Sequence, residues 1–140
     1  MTESAVKGRV NYVQSVLLID DNPSCNFIMR EFIKLADAGI LVHEAESVDE
    51  ALDILGQAEI FPEVVYVDLN MPVKNGFDFI EEFESIFAKS HPETKLYMLS
   101  SSLRSEDKDA AMLYASVVDF VNKNEIDSFL QATLLRVHAE

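Results

Sequence analysis

Five short runs dominated by Val, Leu, Ile and Tyr recur along the chain, at residues 16–19, 40–44, 64–67, 96–99 and 117–121. Each gives way to a longer amphipathic stretch. A strand with one wet face alternates apolar and polar residues, whereas a strand covered on both faces is apolar nearly throughout. Parallel strands also need long crossovers between them, and the intervening stretches can each hold a helix. Five strand–helix repeats of this kind predict an α/β fold: a doubly wound, five-stranded parallel sheet, (βα)5, with right-handed crossovers.

Local signals place the helices. Asn22 followed by Pro23 predicts the cap and first turn of a helix ending near residue 38, where Gly39 stops it. Phe27, Ile28, Phe32 and Leu35 fall at helical spacing and predict its inner face. Ser47 with Glu50 predicts a capping box opening a helix through about residue 57. Pro72 and Gly76 shape a loop before a helix over about 77–88, with Phe79, Ile80, Phe83 and Phe87 on one face. A helix over about 106–114 follows, and a last one, capped by Asn124, runs to about residue 137. Residues 90–94 read as a surface loop. Residues 1–14 are expected to form an N-terminal tail and 15–140 one domain, because this length supports a single core.

Charge narrows the function classes. Asp and Glu number 25 against 11 Lys and Arg, a net charge of −14. Nucleic-acid binders and proteins that dock on anionic membranes need clustered cations, so neither partner is expected. No apolar run approaches the roughly 18 residues of a membrane span, and the first ten residues hold no apolar signal core. Cys25 is the single cysteine, which excludes an internal disulfide and fits a cytoplasmic, reducing compartment. Its helical, packed setting argues against a reactive thiol. His43, His91 and His138 are too dispersed for a structural zinc site. Phosphate-loop, dinucleotide and nucleophile-elbow motifs are absent.

In open parallel sheets, ligands bind beyond the carboxyl ends of the strands. The first run ends in Asp20-Asp21, the third in Asp68, the fourth in Ser100 and the fifth near Lys123. The predicted topology brings these distant residues to one rim. Three carboxylates there repel unless a cation joins them. Oxygen ligands without His or Cys suit a hard ion, Mg²⁺ first. With a lysine and a hydroxyl on the same rim, the set has the parts needed to receive a phosphoryl group on an aspartate.

In these residues the chain resembles the receiver domain of bacterial two-component response regulators, in its stand-alone chemotaxis-type form with a flavodoxin-like fold. The acidic pair is matched by Asp20 and Asp21, and the D-x-x-M-P-x-x-x-G loop by Asp68, Met71, Pro72 and Gly76. The hydroxyl after the fourth strand is matched by Ser100, the lysine after the fifth by Lys123, and the aromatic three residues before it by Phe120. The resemblance implies that Asp68 accepts a phosphoryl group from a histidine kinase or histidine phosphotransfer protein. It implies Mg²⁺ on Asp21, Asp68 and the backbone carbonyl of Asn70, with Asp20 helping through water. Lys123 and Ser100 would contact the phosphoryl group while Phe120 turns inward. A downstream protein target would then be met through the fourth helix, fifth strand and fifth helix (α4-β5-α5, roughly residues 105–137).

On this reading the chain is not an enzyme. It is a phosphoacceptor that assists its own phosphotransfer and dephosphorylation, and it signals by contact because no output domain is expected. Two residues depart from the family pattern: Asn124 follows Lys123 where proline is usual, and Ser100 stands for the commoner threonine. The alternative function is a phosphorylation-independent receiver-like interaction module. A haloacid-dehalogenase-type phosphatase would need an acid at position 70, which is Asn. A flavodoxin-like electron carrier would have to seat its flavin phosphate against Asp20-Asp21.

Overall fold

Strands β1 (Ser15–Ile19), β2 (Leu41–Ala45), β3 (Val64–Asp68), β4 (Lys95–Ser100) and β5 (Val117–Asn122) form one sheet in the order β2-β1-β3-β4-β5. All its pairings are parallel. These coordinates of the protein are a computed structural model, and they describe residues 13–102 and 104–126. Four α-helices, α1 (Pro23–Ala36), α2 (Val48–Gln57), α3 (Gly76–Ile86) and α4 (Ser105–Ala111), connect the strands. The arrangement is the doubly wound parallel sheet that the apolar runs predict, in the flavodoxin-like strand order that the resemblance implies.

Period-two alternation divides the strands between two cores. Leu17, Ile19, Val65 and Val67 pack with Ala51 and Leu55 of α2, Phe79 and Phe83 of α3, and Ala111 of α4. Val16, Leu18, Tyr66 and Leu99 pack with Met29 and Ile33 of α1 on the opposite face. Phe79, Phe83, Leu17 and Leu18 are among the largest fully buried side chains. Burying each stabilises the fold by about 1.5–3 kcal/mol before the entropy of ordering is subtracted.

Several elements differ from expectation. The inner face of α1 is Asn26, Met29 and Ile33, while Phe27, Ile28 and Leu35 are 57%, 50% and 83% exposed. Phe32 is half-buried against the α1-side core. The helix carries apolar residues on both flanks, so hydrophobic spacing alone could not choose between them. At α2, Ser47 accepts from the Glu50 N–H, but Glu50 reaches back to the Glu46 N–H rather than to that of Ser47. The reciprocal capping box lies instead at Asn75 and Asp78, at the start of α3.

Helix α4 is shorter than predicted and stops at Ala111. Residues 90–94 are more than a surface loop. The His91 ring stacks on Phe61 with centroids 3.5 Å apart, and the buried Thr94 hydroxyl donates to the Pro62 carbonyl. Asn124 does not cap the segment after β5: it lies inside a 3-10 turn, Lys123–Glu125, whose cap is Asn122. The predicted last helix falls almost wholly outside the described residues, as do residues 1–12 of the predicted tail 1–14, whereas Val13 is buried in the α1-side core and the Gln14 carbonyl accepts from the Leu41 N–H. No described helix is long and apolar enough to cross a membrane.

Candidate functional site

β1 and β3 are adjacent, and their carboxyl ends bring Asp20, Asp21 and Asp68 together. One carboxylate oxygen from each lies within 4.8 Å of the other two. Asp20 and Asp68 are buried, whereas Asp21 is exposed. Lys123 reaches them from the carboxyl end of β5. Its Nζ donates to Asp20 Oδ2 at 2.6 Å and stands 3.6 Å from Asp68 Oδ1. One ammonium therefore contacts two of the three carboxylates, and it favours Asp20.

The electrostatics follow from that imbalance. Burial, and then the neighbouring Asp20 charge, push the Asp68 carboxyl up to about 6, against the pull of Lys123 and the Asn70 backbone N–H. For Lys123, desolvation works against the charged form. The hydrogen bond to Asp20 and the charges of Asp68 and Asp20 outweigh it, so the ammonium titrates above the ordinary lysine value. Among the described residues this is a buried-acid cluster whose charge its own lysine only partly balances.

The loop after Asp68 is held tightly. The Leu69 N–H donates to the Leu99 carbonyl at 2.8 Å and the Gly76 N–H to the Leu69 carbonyl at 2.9 Å. Gly76 is needed for close approach, since a Cβ there would stand 2.9 Å from both the Asp68 carbonyl oxygen and Leu69 Cα. Between them Val73, 99% exposed, has φ of 70°. With the Lys74 N–H donating to the Pro72 carbonyl at 2.8 Å, Val73 is the centre of a γ-turn of the strained, positive-φ kind. Lys74 braces the turn by ion pairs to Asp49 of α2 at 2.9 Å and Glu82 of α3 at 3.1 Å.

Of the other residues singled out in the sequence, Ser100 and Asn70 reach this rim, while Phe120 lies in the core beneath it. Ser100 ends β4, one position beyond the partner of Asp68. Its hydroxyl donates to the Ser102 carbonyl at 2.7 Å. Phe120 is already buried, in the core shared with Met98 and Ala111. Asn70 meets Asp68 through its backbone N–H. Cys25, in the first turn of α1, is half-buried. Its thiol is pushed up by burial and the Asp20 charge, with Lys123 opposing.

One residue escaped the sequence reading. Asn26, 1% exposed, donates from Nδ2 to the carbonyls of Asp20 and Ala45, each at 3.1 Å. The available signal was an uncharged amide inside an apolar helical stripe, with Met29 and Ile33 at the next inward positions.

Three carboxylate oxygens converging without nitrogen or sulfur ligands fit a hard divalent cation. The raised Asp68 carboxyl reflects its burial first and the Asp20 charge second. A carboxylate on a rim with a nearby ammonium and hydroxyl can also act as a nucleophile toward phosphorus.

A family model described as response regulator receiver domain matches residues 16–134. A two component response regulator from Cytophaga hutchinsonii is 28% identical, with a TM-score of 0.74 over 89% of this chain and 98% of that one. A chemotaxis response regulator of Vibrio cholerae is also 28% identical, with a TM-score of 0.73 over 89% and 98%. Among curated proteins, a protein-glutamate methylesterase/protein-glutamine glutaminase of Burkholderia thailandensis is 25% identical over 91% of this chain. The alignment covers 33% of that relative, so the chain spans about a third of its length.

Proposed function

The chain belongs to the response regulator receiver domain family, and from that premise we propose that it is a phosphoacceptor of two-component signalling with Asp68 as its phosphorylation site. An Asp68 carboxylate oxygen attacks phosphorus as the bond from phosphorus to the donor nitrogen breaks, and the electron pair leaves with the donor imidazole. The donor is a histidine kinase or histidine phosphotransfer protein. The product is an aspartyl phosphate. The observation that carries this reading is the convergence of Asp20, Asp21 and Asp68 within 4.8 Å beside Lys123.

Asp21, Asp68 and the Asn70 carbonyl are the proposed holders of Mg²⁺, with Asp20 behind them. The ion, when bound, offsets charge on the phosphoryl oxygens in the transition state. Lys123 leaves Asp20 to pair with the new phosphoryl oxygen, and Ser100 exchanges its bond to Ser102 for one to the phosphoryl group. Phe120 stands behind Ser100 as the switch aromatic.

The output is a change in contact with a protein target through α4, β5 and the segment beyond, where Met112, Leu113 and Val118 present apolar surface. This reading places the protein in the cytoplasm with no nucleic-acid or membrane contact of its own. Residues 15–140 are its proposed receiver unit.

Incubation with acetyl phosphate and Mg²⁺ tests the reading by intact mass. One added phosphoryl group is expected on the wild type and none on Asp68→Asn. Absence of the adduct at saturating donor and Mg²⁺ would overturn phosphorylation and favour the phosphorylation-independent interaction module.

A further inference from the structure

We propose that Asn26 is a positioning residue for the acidic site, acting through the peptide unit that joins Asp20 to Asp21. The inference rests on the metal-binding reading of that site. The Asp20 carbonyl that Asn26 holds belongs to the same rigid plane as the Asp21 N–H. Anchoring that carbonyl fixes the rotation of the plane, and with it the directions in which both carboxylates leave the chain.

The remaining groups of Asp20 are held as well. Its N–H donates to the Ala45 carbonyl at 3.0 Å, Oδ1 accepts from the Asn22 N–H at 2.9 Å, and Oδ2 accepts from Lys123. The Asp20 carbonyl is the fourth group, and Asn26 is what holds it. The same amide spans to the Ala45 carbonyl, so one side chain on α1 ties together the ends of β1 and β2 beneath the site.

The chemistry of the residue supports this role over simple packing. Both Nδ2 hydrogens are used, while Asn26 Oδ1 is buried with no hydrogen-bond partner. A buried acceptor left unmet destabilises the fold. An apolar residue of the same size would avoid that penalty next to Met29 and Ile33. Asn is therefore suited to this place by its two donors, and the acceptors they meet are the Asp20 carbonyl, at the strand end that carries two of the acids, and the Ala45 carbonyl at the end of the neighbouring strand β2. Groups that orient metal ligands from behind typically change affinity by about 10–100-fold when removed.

The test is a Mg²⁺ titration of the intact chain by calorimetry and by amide chemical shift, comparing wild type, Asn26→Leu, Asn26→Ser and Ile33→Val. The last removes volume from the same helix face, against the middle of β1, but takes away no hydrogen bond at the ends of β1 and β2, so it controls for general loosening. Weakening of Mg²⁺ binding by about tenfold or more in Asn26→Leu, a lesser weakening in Asn26→Ser, and an unchanged constant in Ile33→Val are expected. Affinities for both Asn26 variants within twofold of wild type would overturn the inference. If the variants do not fold, the wild type decides. Its Asn26 Nδ2 protons should be protected from exchange and shift with the Asp21 amide on Mg²⁺ addition, and unprotected, unmoved resonances would overturn it. A wild type that does not bind Mg²⁺ would instead overturn the metal reading, and this inference with it.

Discussion

Asp68→Asn should make the metal-free protein more stable at neutral pH. Asp68 is buried between Asp20 and Lys123, and its carboxyl is pushed from an ordinary 3.8 up to about 6. The folded chain thus holds the Asp68 proton more tightly than the unfolded chain does. Between those two values the native state binds more protons, so stability falls as pH rises through the window. The contribution is fully present below about pH 4 and lost above about pH 6. The difference, 6 − 3.8 = 2.2, corresponds to about 3 kcal/mol at about 1.36 kcal/mol per pH unit. That is a large share of a typical domain stability of about 5–15 kcal/mol.

Asparagine keeps the shape and removes the charge, so the gain at about pH 7 should approach that value and vanish near pH 4. Urea unfolding with EDTA, followed by circular dichroism across this range, measures it. Taking the difference between variant and wild type cancels the titration of carboxylates outside the cluster. A gain that is equal at both ends of the range, or no gain at all, would refute the electrostatic argument. Mg²⁺, if it binds as proposed, should restore stability to the wild type and less to the variant.

Two further changes probe the loop that carries Asp68. Gly76→Ala places a Cβ 2.9 Å from two backbone atoms that cannot turn aside. A loss of about 1–3 kcal/mol in urea unfolding is expected, together with slower phosphorylation by acetyl phosphate. A variant as stable as wild type would mean the loop can open without cost. Val73→Gly removes a β-branched residue from φ of 70°. Relief of about 1–2 kcal/mol of backbone strain, less the extra freedom glycine adds to the unfolded chain, leaves a net gain of about 0.5–1 kcal/mol. A lower unfolding midpoint would show that the turn is not strained.

The sheet and most of the site were legible for one reason: both depend on where strands end. Val64 to Val67 is short and rich in β-branched residues, as a buried strand is, and Asp68 is the first residue after that run. Once the strands are parallel, their carboxyl ends share a rim, and the order of the chain sends Asp20, Asp21, Asp68, Ser100 and Lys123 there. What the pattern could not supply was pairing within the rim. That Lys123 sits at 2.6 Å from Asp20 and 3.6 Å from Asp68 depends on side-chain reach and burial, which residue type alone does not encode.

The misreading of α1 has the same origin and leads back to Asn26. Hydrophobic spacing ranks faces by how much apolar surface they would hide, and Phe27, Ile28 and Leu35 outweigh a face that opens with an amide. The folded helix is oriented by a different demand. The ends of β1 and β2 expose two carbonyls beneath the acids, and the ladder hydrogen bonds do not satisfy both. Asn26 meets them, and Met29 and Ile33 follow it inward at helical spacing. With Asn26, Met29 and Ile33 on the inner face, Phe27, Ile28 and Leu35 are left outside. A polar residue inside an apolar helical stripe, in the first turn of the helix that follows a strand-end acid, is the signal that would have set the face correctly.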